Sequence, residues 1–394
     1  MNANPSLRRR RTAVTAIGAA VLVVTLAVTA SVVAATRDSH AAKGAGRAPL
    51  PARLDQLLAR FAHAHPSFPG VAVAVTTSTL DWTGAAGLAD RATNKPLTSA
   101  APFRIASVTK TFTAAAILRL AEDGKLSLDD PIARHLSPDT VALLRRGGYD
   151  VDRIRIRHLL QHTSGLYDYA EDPAYQTYVV GHPHHRWTRA EQVRFAITHG
   201  RPLFPPGTNF HYADTGYILL GEVLERRTGR SLAGAYRTLL GFDRLGLRHT
   251  YLETLERTPA QAGPRAHQYL GTTDTAGFDP SFDLYGGGGL VSTVDDLAHF
   301  YRALLGGHVF RKTATLRTML GKPHLTGPGG LGMGIFSESL GPESCWHHDG
   351  FWGTSVLDCP RLGVTIAITV NQASGFDSAV QQFADAVLRL IGRR

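Results

Sequence analysis

The spacing of apolar positions along this chain shifts from alternation to helical repeats and back again. After a first helical stretch from Leu54 to Ala64, Val71-Ala72-Val73-Ala74-Val75-Thr76 alternates with period two. Leu80-Asp81-Trp82-Thr83-Gly84-Ala85 reads as its hairpin partner. From Ser107 to Asp123 the apolar Phe112, Ala115, Ala116, Leu118 and Leu120, with Gly124 just beyond, predict a buried helix. Asp130 followed by Pro131 has the form of a helix start. Short helical stretches follow, at 157–165 and from Gly216 to Gly229, where Tyr217, Leu220 and Leu224 share a stripe. The run Gly286 to Gly289 predicts a close backbone approach, and Leu290 to Leu297 leads from it into a capped helix. Val364, Ile366, Ile368 and Val370 then alternate with small or hydroxyl residues as a strand does. A last helix from Ser378 to Ile391 turns Val380, Phe383, Val387, Leu388 and Ile391 inward.

This order predicts an α/β (α+β) fold in which an antiparallel sheet is assembled from both ends of the chain. Helices cover its faces, and a mostly helical subdomain is inserted at about 125–284. The folded domain is expected over 54–394, after a linker at 37–53 of alanine, glycine, proline and charge. Ahead of it, Arg8 to Arg11 precede a run from Thr12 to Thr36 of 25 residues without charge. That length suits a bilayer-spanning helix, and the arginines hold its start on the cytoplasmic side. Small residues such as Ala34, Ala35, Ala41 and Ala42 also suit a signal peptidase, so residues 1–36 read as a membrane anchor or a cleaved signal. Either way the domain is expected outside the cytoplasm, in the cell envelope.

Composition narrows the function. With 43% hydrophobic and 19% charged residues among 394, a sizeable core is possible and global disorder is excluded. The net charge of +10 takes four of its charges from Arg8 to Arg11, and the other arginines are scattered, which argues against a nucleic-acid partner. His182-Pro183-His184-His185 has no carboxylate or second histidine group at ligand spacing, so no metal site is expected there. Cys345 and Cys359 lie symmetrically about Trp352, so a hairpin would bring them together, and export permits a disulfide.

Three motifs carry chemistry. Ser107 and Lys110 are three residues apart, nearly one helical turn, so a hydroxyl and an amine share a face. At a buried helix N-terminus both the macrodipole and desolvation disfavour an ammonium, which predicts a partly neutral Lys110 able to activate Ser107. Tyr212 and Asp214 sit on a loop before a helix, where a phenol near a cation can pass a proton. His348-Asp349-Gly350 lies on or beside a strand of the final sheet. Gly350 permits close approach, and the following N–H can join that of Ser107 in polarising a carbonyl.

Ser-x-x-Lys, Tyr-x-Asp and His-x-Gly occur in that order, with Leu160-Gln161-His162-Thr163-Ser164-Gly165-Leu166 and the glycine run before Ser292-Thr293 between them. Together they resemble the serine β-lactamase-like family from about residue 55 to 390. That family holds penicillin-binding D-alanyl-D-alanine carboxypeptidases, class C β-lactamases, and related esterases and D-amino-acid peptidases. The resemblance implies a β-lactamase-like fold and an acyl-enzyme on Ser107, with Lys110 and Tyr212 sharing the proton work. It places Asp214, His348, Asp349 and Gly350 beside the substrate, makes an oxyanion hole of the Ser107 and Phe351 N–H groups, and calls for no cofactor. The activity it implies first is that of a D-alanyl-D-alanine carboxypeptidase or a related peptidase or esterase, ahead of a β-lactamase, on a small peptide, amide or ester, including a peptidoglycan stem peptide. The alternative is a catalytically weak sensor that binds β-lactams or peptidoglycan.

The chain departs from that pattern at two positions. Relatives usually carry Tyr-x-Asn, whose amide donates to the substrate; an ionised Asp214 cannot, and would pair with Lys110 and weaken it as a base. Asp349 stands where a hydroxyl residue commonly helps to hold a substrate carboxylate. Two acidic replacements favour a neutral ester or amide, or a substrate with an amine, over an anionic β-lactam.

Overall fold

The computed structural model describes residues 48–321 and 331–392. The run Thr12 to Thr36 and most of the expected linker lie outside the described residues. Among the described residues no helix is long and apolar enough to cross a membrane.

Seven strands form one antiparallel sheet among the described residues: β1 (Gly70–Thr76), β2 (Asp81–Asp90), β3 (Lys95–Pro96), β4 (Phe336–Leu340), β5 (Glu343–Gly350), β6 (Thr354–Cys359) and β7 (Val364–Thr369). Their spatial order is β3-β2-β1-β7-β6-β5-β4, so first and last parts of the chain meet at the centre, as expected. There Val73 lies opposite Ile368 on one side and Gly84 on the other. The alternation in β1 separates two cores. Val71, Val73 and Val75 join Ile366 and Ile368 against α1 (Leu50–Ala64) and α5 (Asp377–Ile391). Ala72, Ala74 and Ala367 face the other way, into the core that holds α2 (Thr109–Glu122), α3 (Asp214–Thr228) and α4 (Val294–Leu305). Small side chains on that face let α4 lie directly on the central strands.

Some boundaries differ from expectation. α1 starts at Leu50 rather than Leu54, with Pro51 in its first turn, where a missing N–H costs nothing. Asp130 starts no α-helix. Its carboxylate accepts from Ser127 N–H and pairs with Arg134 and His135, and only a 3-10 turn follows, at Ile132–Arg134. The next α-helix, Pro138–Arg146, is capped instead by Ser137. The inserted region also contains helices Ile156–Leu160, Pro173–Gly181, Arg189–His199 and Leu232–Leu240. A short strand, Leu290–Ser292, pairs with Phe103–Arg104 and with Tyr251–Leu252, stitching the segment before Ser107 to the insert. Cys345 and Cys359 are bonded across β5 and β6, with Cα atoms 4.2 Å apart.

Candidate active site

Ser107 occupies a 3-10 turn, Ala106–Val108, that runs into α2. Ala106, just before it, has φ 44°, a left-handed conformation uncommon for a residue with a side chain. β5 ends against this turn: a Cβ on Gly350 would sit 2.2 Å from the Ile105 carbonyl. Gly350 is therefore needed for β5 to end against the turn that carries the nucleophile.

Lys110 is fully buried. Its ammonium donates to Ser107 Oγ at 2.8 Å, Asp214 Oδ1 at 2.5 Å and the Gly287 carbonyl at 2.9 Å. An ammonium has three N–H groups, and each has a partner. Burial is the largest influence on Lys110 and pushes its pKa down, but Asp214, Tyr212 and Asp283 outweigh it, so the net shift is upward. This corrects the expectation of a partly neutral lysine: desolvation acts as predicted, but the pairing with Asp214 that Tyr-x-Asp foreshadowed overrides it.

Asp214 is the first residue of α3 and could have capped that helix, yet its side chain caps nothing. Its carboxylate turns to Lys110, while its N–H donates to Asp168 Oδ1 at 3.0 Å. Tyr212, half-buried, holds its ring centre 5.0 Å from the Lys110 nitrogen. Desolvation pushes its phenol pKa upward; the Lys110 charge pulls the other way and the Asp214 charge adds to the rise, so the net shift is upward. The phenol is therefore protonated at rest, and its anion is favoured by the neighbouring cation.

His348 is buried. Its Nδ1 lies 2.8 Å from the Asp349 carbonyl and so carries the proton, which leaves a lone pair on Nε2. Nε2 is buried with no partner among the described residues. Burial first, and the Lys110 charge second, depress its pKa, so the ring is neutral. Asp349 corrects the sequence reading. Side chains alternate along β5, and Asp349 points to the opposite face, 3.4 Å from His347 Nδ1, where it lines no part of the cleft that His348 shares with Tyr212. One acidic replacement faces the site, not two.

Two other carboxylates stand beside Asp214. Asp168 Oδ2 is buried with no partner among the described residues, and burial followed by repulsion from Asp214 holds its carboxyl well above the usual range. Burial and Asp214 also push Asp283 up to about 6. The Asp283 carboxylate lies against the glycine run, where a Cβ on Gly288 would meet it at 1.9 Å. Neither aspartate was singled out from the sequence, since neither belongs to a motif. The role of Gly287 was likewise hidden, because it acts through its backbone carbonyl. Outside this cleft Asp90, His267 and Asp274 come together. His267 Nδ1 is hydrogen-bonded to Asp274 Oδ2 at 2.7 Å, and Asp90 already accepts from Ala92 N–H and Thr93 Oγ1.

The family model named Beta-lactamase matches residues 54–389. Among solved structures, a D-stereospecific amidohydrolase from Streptomyces sp. superposes with a TM-score of 0.71 at 29% identity, over 84% of this chain and 98% of that one. D-amino acid amidase from Ochrobactrum anthropi gives 0.72 at 27%, over 86% and 99%. Esterase EstB of Burkholderia gladioli is 34% identical over 51% of this chain and 51% of its own length. An unguisins hydrolase of Aspergillus campestris is 27% identical over 77% of this chain and 58% of its own length. The chain thus spans about half the length of these curated relatives.

Proposed function

The chain belongs to the β-lactamase family, and from that premise we propose an extracytoplasmic serine hydrolase that works through an acyl-enzyme. Its substrate is an amide or ester whose recognised end carries N–H groups or positive charge, and amidase chemistry fits better than release of a terminal D-alanine. The observation that carries this reading is the three-way contact of Lys110 with Ser107, Asp214 and Gly287.

A fully charged lysine cannot accept a proton until it gives one away. The 2.5 Å contact supplies the route: Lys110 passes a proton to Asp214 and takes the one released by Ser107 as Oγ attacks the carbonyl carbon. The N–H groups of Ser107 and Phe351 hold the oxyanion. Tyr212, protonated at rest, gives its proton to the leaving nitrogen, and the Lys110 ammonium stabilises the resulting phenolate. In deacylation a water returns a proton to Tyr212 and attacks the ester, while Asp214 returns its proton through Lys110 to the departing Ser107 oxygen. Protons and charge balance over the cycle.

Recognition follows from what the cleft offers. His348 Nε2 is an acceptor, and Asp214 and Asp283 add carboxylates, with the Lys110 cation in contact with Asp214. Such a site attracts donors and repels a carboxylate. That argues against the carboxypeptidase and β-lactamase activities of other family members and agrees with the D-amino acid amidase likeness.

The test is a fluorophosphonate label on the full chain and its Ser107→Ala variant, followed by a panel of D-amino-acid amides, their N-acetyl forms, short acyl esters, D-Ala-D-Ala peptides and nitrocefin. Label lost in Ser107→Ala and fastest turnover of free-amine amides is the expected result. Persistent labelling without Ser107 would sink the mechanism. Fastest turnover of D-Ala-D-Ala peptides would overturn the specificity, and a stable label with no turnover would indicate a sensor.

A further inference from the structure

The motif Leu160 to Leu166 contributes no group to the chemistry above, yet the chain carrying Tyr212 is laid along it and the residues just after it. The Leu160 carbonyl accepts from Tyr217 Oη at 2.8 Å, the Thr163 carbonyl from Gly207 N–H at 2.7 Å, and the Gly165 carbonyl from Leu203 N–H at 2.9 Å. At the centre His162 grips both neighbours of Tyr212. Its carbonyl accepts from His211 N–H at 2.9 Å and its Nδ1 accepts from Ala213 N–H at 3.0 Å. Its ring lies against Tyr212 itself, centroids 4.2 Å apart and planes 19° from parallel. To do this His162 adopts φ 54°, a left-handed backbone that histidine, asparagine and aspartate tolerate better than most residues.

We propose that His162 is the positioning residue for Tyr212, fixing the phenol at the distance and angle from which it protonates the leaving group. A three-point hold on residues 211–213 defines the ring plane as well as its place, which a loop otherwise leaves free. Nδ1 works only as an acceptor here, so Nε2 carries the hydrogen and the imidazole is neutral. Burial and the Lys110 charge keep it so. The proposal rests on the reading of Tyr212 as proton donor.

Two substitutions separate the parts of the hold. His162→Asn keeps the left-handed backbone and an acceptor but removes the ring; His162→Phe keeps a ring but removes the acceptor. Each is made in the full chain, alone and with Tyr212→Phe. Three quantities are measured: thermal midpoint, kcat and KM for the fastest amide of the panel above, and the rate of Ser107 labelling by a fluorophosphonate, whose fluoride leaves without a proton. The expected result is a fall in amide kcat of about 10- to 100-fold with KM little changed, while labelling slows less than about threefold. In the Tyr212→Phe background the His162 change should cost less than about twofold more. A parallel fall in amide turnover and labelling, or penalties that multiply with Tyr212→Phe, would show a merely structural role and overturn the proposal. Failure of the parent chain to label at Ser107 would instead sink the hydrolase reading, and this proposal with it.

Discussion

The two faces of the central sheet are built from the same strands and do different work. One face presents Val71, Val73, Val75, Ile366 and Ile368 to α1 and α5 in a largely apolar layer, with Ser355 and Asp349 in register beside Ile368 across β6 and β5. The other presents Ala72, Ala74 and Ala367, and beyond these small side chains lie Lys110, Asp214 and the buried polar groups of the cleft. Large β-branched residues gain most from burial, so the first face is where the strands gain stability. The second gives up buried area so that helices can come close and hold charges in fixed positions. Alternation in a strand thus allows stability and chemistry to be tuned separately, each on its own set of alternate positions.

Four substitutions break or sharpen this contrast. The largest effect is expected from Ser107→Ala, which should lower hydrolysis on the order of 10⁴-fold or more while the thermal midpoint stays within a few degrees; activity surviving that change would detach the cleft from the chemistry. Gly350→Ala pushes a Cβ to 2.2 Å from the Ile105 carbonyl, so acylation by a fluorophosphonate should slow by about 100-fold, as expected for an ångström's displacement of the nucleophile turn. On the apolar face, Ile368→Ala should lower unfolding free energy by about 2–5 kcal/mol in denaturant titrations and leave kcat/KM of the folded enzyme unchanged. A matching loss of kcat/KM would mean the faces are coupled.

The smallest effect concerns charge in the cleft. Asp283 has a folded pKa of about 6, above its ordinary value of 3.8. Its folded form binds a proton more tightly than the unfolded chain does, so stability falls as pH rises between those values. Asp283→Asn should therefore raise the melting temperature at pH 8 and leave it unchanged at pH 3.5. An unchanged difference across that range would remove Asp283 from the charged cluster.

Much of this was legible beforehand, and the failures have identifiable causes. The sheet from both ends, the helix over Thr109–Glu122, which starts two residues later than expected because Ser107 lies in a 3-10 turn, and the contact of Ser107 with Lys110 follow from spacing over a few residues. Asp130 misled because an aspartate before a proline suits a turn as well as a helix start, and contacts with Ser127, Arg134 and His135 favoured the turn. Asp349 misled because adjacent residues in a strand point to opposite faces, so membership of a motif with His348 did not put both in the cleft. His162 stood inside a quoted motif without a role, since nothing in its local sequence reveals a partner 51 positions away.

Sequence alone determined the alternation, the helix that carries the lysine just after the serine, and the order of the three motifs, because steric preference and hydrophobic period act between near neighbours. Only the tertiary structure decided the protonation of Lys110, the isolation of Asp349 and the grip of His162 on Tyr212. Lys110 meets Asp214 across 104 positions and Gly287 across 177. Electrostatic and hydrogen-bond energies depend on separation in space and on burial, and folding sets both.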